Sequence, residues 1–185
     1  MRAGCRPVLF FSLLVLWPAP LAAAPPVVAP PVVVELAGPA RVVDGDSLVI
    51  AGQRIRLHGI DAPERAQTCR TASGRPWPCG AAARQALAAQ IAGRAVTCRG
   101  TKRDRYGRLI ALCFLSGRNL SAWMVARGWA LAYRRYSHAY AGLEHTARTR
   151  GLWSGPFTAP WDWRRGQGER AAMRLPPPPR PASPR

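Results

Sequence analysis

The sequence predicts an α+β domain built on a small antiparallel β-barrel. Three short segments of alternating apolar and polar residues come first, an alanine-rich run without Gly or Pro follows, and two more alternating segments precede a pair of helical stretches. Strands and helices segregated in this way suit a small barrel with helices packed on it better than a parallel sheet with crossovers.

Each element has its own local reason. Residues 41–44, 47–50 and 53–58 are separated by the turn formers Asp44-Gly45 and Ala51-Gly52, the pattern of a meander of hairpins. In the third segment Ile55 and Leu57 fall on one face and Arg54, Arg56 and His58 on the other. One face is therefore core and the other cationic. Residues 80–92 form a helix that stops at Gly93. Two strands, 95–99 and 108–115, bracket the polar turn TKRDRYG. Ser121 is placed to cap a helix running to Arg127 with Gly128 as its stop, and residues 139–150 form a last helix before Gly151.

Around this domain the composition shifts. Arg2 and Arg6 precede an apolar run at 8–17 and small residues at 22–24, so residues 1–24 read as a secretory signal peptide cut after Ala24 or Ala23. The run is too short to cross a bilayer, and Pro18 and Pro20 interrupt it. No stable membrane insertion is expected. Residues 25–38 are a Pro/Val-rich linker able to lend an edge strand, 39–165 the folded domain, and 166–185 a disordered Pro/Arg-rich tail. Export to the periplasm or the medium follows from the signal.

Charge narrows the function. Across 185 residues, 27 Lys or Arg face 9 Asp or Glu, a formal net charge of +18. An excess of that size calls for an anionic partner. The chain lacks a G-x-S-x-G elbow, an H-E-x-x-H pair and a G-x-x-x-x-G-K loop, which leaves serine hydrolase, zinc protease and nucleotide triphosphatase without support.

Without Cys5 in the signal, four cysteines remain, Cys69, Cys79, Cys98 and Cys113, and the three pairings they allow suit an oxidising compartment. Cys98 and Cys113 sit on consecutive antiparallel strands joined by one turn, a geometry that brings their sulfurs together. Cys98–Cys113 and Cys69–Cys79 are the expected bonds.

The acidic residues carry the chemistry. Asp44, Asp46, Asp61 and Glu64 crowd into one short stretch of a basic chain, all at turns or strand ends, and hard cations need such oxygen clusters. Neither Asp-Gly-Asp nor Asp-Ala-Pro-Glu is specific alone, since Asp-Gly is also a common hairpin turn. Their combination is far more specific: V-D-G-D-S at 43–47, R-L-H-G-I-D-A-P-E at 56–64 and D-R-Y-G-R at 104–108.

On those three motifs, in that order, the chain resembles the thermonuclease, or staphylococcal nuclease-like, family over roughly residues 39–153. The resemblance implies an OB-type five-stranded antiparallel barrel with three α-helices, acting as a monomer on DNA and/or RNA with one Ca2+ ion. It implies Asp46, Asp61 and the Ala62 carbonyl as metal ligands, Glu64 as general base, and Arg56 and Arg108 as phosphate clamps. Tyr106 would line the nucleotide pocket with a second tyrosine after Gly128, for which Tyr133 and Tyr136 both qualify. Ser47 keeps a hydroxyl where Thr is frequent, and Ser121 stands where Asn is expected. The roles make chemical sense, because attack of water on a phosphodiester needs a base and spreads negative charge over the phosphoryl oxygens. The planar fork of Arg grips two of those oxygens at once.

The competing reading is a noncatalytic OB-type nucleic-acid-binding module. A pure binder gains nothing from four carboxylates facing a polyanion. Trp77, between two prolines in the 65–80 loop, reads as part of a disulfide-tied surface loop, with base stacking as the alternative.

Overall fold

A computed structural model describes residues 32–166. The stretch read as a signal peptide, the first half of that read as linker and all but the first residue of that read as tail lie outside the described residues. The strands are β1 (Val34–Asp44), β2 (Ser47–Ile50), β3 (Gln53–Leu57), β4 (Ile60–Asp61), β5 (Cys69–Arg70), β6 (Pro76–Trp77), β7 (Ala95–Arg103), β8 (Leu109–Leu115), β9 (Arg118–Asn119) and β10 (Leu131–Ala132). The α-helices are α1 (Cys79–Ile91), α2 (Leu120–Ala126) and α3 (Pro160–Arg164).

The main sheet runs β3-β2-β1-β7-β8-β9, and β3 also pairs with β8, so five strands close into an OB-type barrel. Four of the five barrel pairings are antiparallel, but β3 and β8 run parallel, with Ile55 opposite Leu109 and Leu57 opposite Ala111. The expected OB-type five-stranded barrel is formed, and its one parallel seam has a reason of parity. A ring of five strands cannot alternate direction all the way round, so one seam must be parallel.

β1 starts at Val34, inside the stretch read as linker, and Val34–Pro39 pairs with Ala95–Gly100 of β7. That segment has β7 on one side only, because β2 takes up Ala40–Asp44 of the same strand, so the stretch read as linker lends a strand with one free edge. Leu48, Ile50, Ile55, Leu57, Val96, Leu109, Ala111 and Leu115 fill the barrel interior, each at most 3% exposed.

Helix α1 covers the barrel with Ala83, Leu87 and Ile91, spaced four residues apart on one buried face. It ends where Ala92 turns left-handed at φ 48° and Gly93 follows at φ 72°. The second helix is capped by Asn119, whose side chain accepts from the Ala122 N–H at 3.0 Å, and not by Ser121. Ser121 is inside the helix, buried, and donates to the His58 carbonyl at 3.0 Å. The long helix expected at 139–150 is replaced by two 3₁₀ segments, Ala141–Ala147 and Gly151–Ser154. Gly142 and Gly151 weaken a regular helix there, and Thr149 adopts φ 65°. The third α-helix comes later, at 160–164, where Pro160 opens it from the first-turn position that tolerates proline.

A second buried cluster, Cys69, Cys79, Leu131, Leu152, Phe157 and Ala159, joins the 65–80 loop to the segment before α3, with Trp77, Trp153 and Trp161 packed against it. Trp77 is therefore anchored in packing and is not a free stacking platform. Both expected disulfides are formed, Cys69–Cys79 and Cys98–Cys113.

Candidate active site

The site grows from two turns that the packing leaves no freedom to move. The β1–β2 turn presents Asp46, 4% exposed, and the short β4 presents Asp61, fully buried. Behind Asp61 lies β10, with Leu131 as its pairing partner. The Ala62 N–H donates to Asp46 Oδ2 at 2.9 Å and ties the two turns together. Gly45 is needed at this junction, since a Cβ there would stand 2.6 Å from the Ala62 Cβ and 3.1 Å from that of Ala83.

Arg56, on the outward face of β3, reaches both aspartates. Its NH1 pairs with Asp46 Oδ1 and its NH2 with Asp61 Oδ1 at 2.7 Å. The two carboxylates predicted as metal ligands thus lie within the span of one guanidinium. Glu64, half-buried, follows on the loop after Asp61, and the Gln67 side chain accepts its N–H at 3.2 Å. Gln67 is 1% exposed and its side-chain amide donates to the Thr158 carbonyl at 2.7 Å. The Glu64 loop is fastened on its other side by α1, where the Gly80 N–H donates to the Gln67 carbonyl at 3.2 Å.

Arg108 enters from the 104–108 turn. Its Nε–H donates to Asp104 Oδ2 at 2.7 Å, and its NH1 to Ser47 Oγ at 3.3 Å, while Ser47 Oγ donates to Asp46 Oδ1 at 3.1 Å. The retained hydroxyl of Ser47 therefore links Arg108 to Asp46. Burial works against ionisation of Asp104, but the Arg108 side chain and the backbone N–H groups of Arg108 and Tyr106 outweigh it and lower the carboxyl pKa. Tyr106 tops this turn, 55% exposed, with the Arg105 and Arg108 guanidiniums 4.7 and 5.5 Å from its ring centre.

Of the two remaining tyrosines, Tyr133 is the one fastened to the site loop. Its N–H donates to the Gly59 carbonyl at 2.9 Å and its ring stacks on Trp161 at 5.3 Å with 4° between planes. Tyr136 is 67% exposed and meets Tyr133 edge-on at 4.9 Å.

Three participants escaped the sequence reading. Arg164 of α3 donates to Asp61 Oδ2 at 2.6 Å and Oδ1 at 3.1 Å, and to Glu64 Oε1 at 2.5 Å. Burial opposes its charge, yet the hydrogen bonds to Asp61 and Glu64 prevail and hold its pKa above the ordinary value. Gln67 and Trp161 fasten the same C-terminal segment to the site. No local motif marks any of the three, because their partners lie about 30 to 100 residues away in the chain.

Among the described residues no three His, Cys, Asp or Glu side chains gather as a ready metal cage. The donor chemistry nevertheless fits a hard divalent cation: Asp46 and Asp61 offer buried carboxylate oxygens side by side, next to the Ala62 backbone.

The closed OB-type barrel with buried carboxylates and arginines gathered on it, taken with the family it matches, places the chain in the nuclease class of hydrolases. The model of the staphylococcal nuclease homologue family matches residues 54–155, and the chain belongs to that family. It is 36% identical to a succinoglycan biosynthesis protein, ExoI, of Rhizobium meliloti over 119 residues, 63% of this chain and 62% of that protein. It is also 36% identical to an uncharacterized endonuclease of Escherichia coli O157:H7, covering 67% of this chain and 81% of the relative. A micrococcal nuclease of Shigella flexneri shares 34% identity, covering 68% and 78% respectively.

Proposed function

We propose that the protein is an exported, calcium-dependent nuclease that hydrolyses phosphodiester bonds in DNA and/or RNA. The observation that carries this reading is the meeting of Asp46 and Asp61 on Arg56, with Glu64 one short loop away. Asp46, Asp61 and the Ala62 carbonyl would hold Ca2+, which supplies Lewis-acid stabilisation of charge on the phosphoryl oxygens. Glu64 takes the proton of the attacking water, for which a partly exposed carboxylate on a fixed loop is suited. Arg56 and Arg108 stabilise the charge that builds on the phosphoryl group, and each is already oriented by an aspartate. Tyr106 and Tyr133 flank the nucleotide, and their separate loops allow one to lie on each side of the cluster.

Two disulfides and the signal-like N-terminus support export. Among the described residues no helix is long and apolar enough to cross a membrane. Digestion of DNA and of RNA across a calcium series, with a chelator control, tests the proposal. Cutting that appears with calcium and vanishes with chelator supports it. Binding without cutting at every calcium concentration replaces it with the binding-module reading.

A further inference from the structure

The third arginine at the site comes from outside the segment that the family model matches, which ends at residue 155. The nine residues that follow are no loose extension. Phe157, Thr158, Ala159 and Pro160 are all buried, Gln67 donates to the Thr158 carbonyl, and Trp161 lies flat on Tyr133. This packing delivers Arg164 to Asp61 and Glu64, where it shares Asp61 Oδ1 with Arg56.

Electrostatics argues what Arg164 is for. Asp104 and Arg108 pair with one another, while Asp44, Asp46, Asp61 and Glu64 gather around Arg56 and Arg164, so carboxylates outnumber guanidiniums. An anionic phosphodiester enters such a cluster only against that excess, so each guanidinium beside the carboxylates counts toward admitting it. Arg164 is one of the two that hold Asp61. Arg56 gives a precedent within the site, since the arginine read as a phosphate clamp also rests on Asp61. Arg164 has the freedom to turn, because 39% of its side chain is exposed.

We propose that Arg164 is a third phosphate-binding guanidinium, held on Asp61 and Glu64 until the substrate's phosphodiester arrives and then turned onto it. The inference rests on the nuclease reading for its substrate, but its geometry belongs to α3 alone.

The test separates the two. In the active enzyme with saturating calcium, Arg164→Ala should lower kcat/KM by ~10-fold to 100-fold, and Arg164→Lys should recover only part of the loss, because a point charge lacks the bidentate fork. In a Glu64→Gln background, where an oligodeoxynucleotide is bound but not cut, adding Arg164→Ala should reduce the log–log salt slope of single-strand binding by about 0.7, one phosphate contact. Equal melting temperatures of the Lys variant and the parent exclude unfolding as the cause. A lower calcium requirement or faster turnover in Arg164→Ala would make the residue a plug on the aspartates and overturn the proposal. So would a rate loss with an unchanged salt slope, which assigns Arg164 to holding Glu64. If the unmodified protein cuts nothing yet the salt slope falls, the phosphate contact stands and the nuclease reading fails.

Discussion

Gly80, in the first turn of α1, lies so close beneath Glu64 that a Cβ on Gly80 would overlap the Glu64 carbonyl oxygen. Glycine is chosen here for space, not for backbone freedom. Alanine ordinarily favours a helix over glycine by roughly 0.5–1 kcal/mol. Overlap with a fixed backbone costs about 1–3 kcal/mol or more, so the clash wins. Gly80→Ala should lower the melting temperature and cut activity by displacing the Glu64 loop. Gly142→Ala, which meets open space, serves as the near-neutral control, and equal effects of the two would refute the argument.

Glu64→Gln keeps the shape of the side chain and removes the base. Turnover should fall by ~100-fold to 10,000-fold while circular dichroism and single-strand binding persist. Retained turnover in this variant would move the base to another residue.

In the folded state the Asp104 carboxyl is held below its ordinary pKa of 3.8. It therefore contributes stability that is complete above about pH 4 and is lost as pH falls through the lowered folded value. Asp104→Asn should be less stable than the parent at neutral pH, and the difference should shrink as the pH drops below 3.8. Urea midpoints measured between pH 2.5 and 7 read this out as an order-of-magnitude titration of one site. A gap that stays constant with pH would show that the hydrogen bonds act without the charge.

The Cys98–Cys113 bond closes a loop of sequence separation 15 across the β7–β8 hairpin, inside the barrel wall and away from the acidic cluster. Replacing both cysteines with alanine should cost about 2–4 kcal/mol of stability and leave kcat nearly unchanged below the melting range. A large loss of kcat at full folding would tie the hairpin to the site.

Much of this was legible in the chain. The period-two segments and turn formers located β2 and β3, and the uninterrupted run of 80–92 located α1, because local propensity and burial pull the same way there. The acidic motifs announced Asp46, Asp61 and Glu64 because turns hold them by local backbone geometry. Val34–Pro39 was legible only as a linker able to lend a strand, because it follows a Pro/Val-rich stretch and its strand character is realised when β7 comes alongside. The 139–150 stretch reads as helix by composition, yet Gly142 and the Glu144 bonds to Ala132 N–H and Arg134 favour tight 3₁₀ turns. Arg164 is an ordinary surface-type residue in sequence, and its place at the site depends on tertiary packing alone. Gln67 lies beside Glu64 in the chain, but its hold on Thr158 is likewise tertiary.

The parallel seam between β3 and β8 also sets an order of events in folding. Ile55 must wait for Leu109, Gln67 for Thr158 and Asp61 for Arg164, so the connections that close the barrel and bring α3 to the site join distant parts of the chain. Contacts of long sequence separation form late and slowly. After dilution from denaturant, strand and helix signals should therefore recover first, the tryptophan signal of the Trp161–Tyr133 stack later, and hydrolytic competence last. Activity that recovers together with the strand and helix signals would show instead that the C-terminal segment seals the site as the barrel forms.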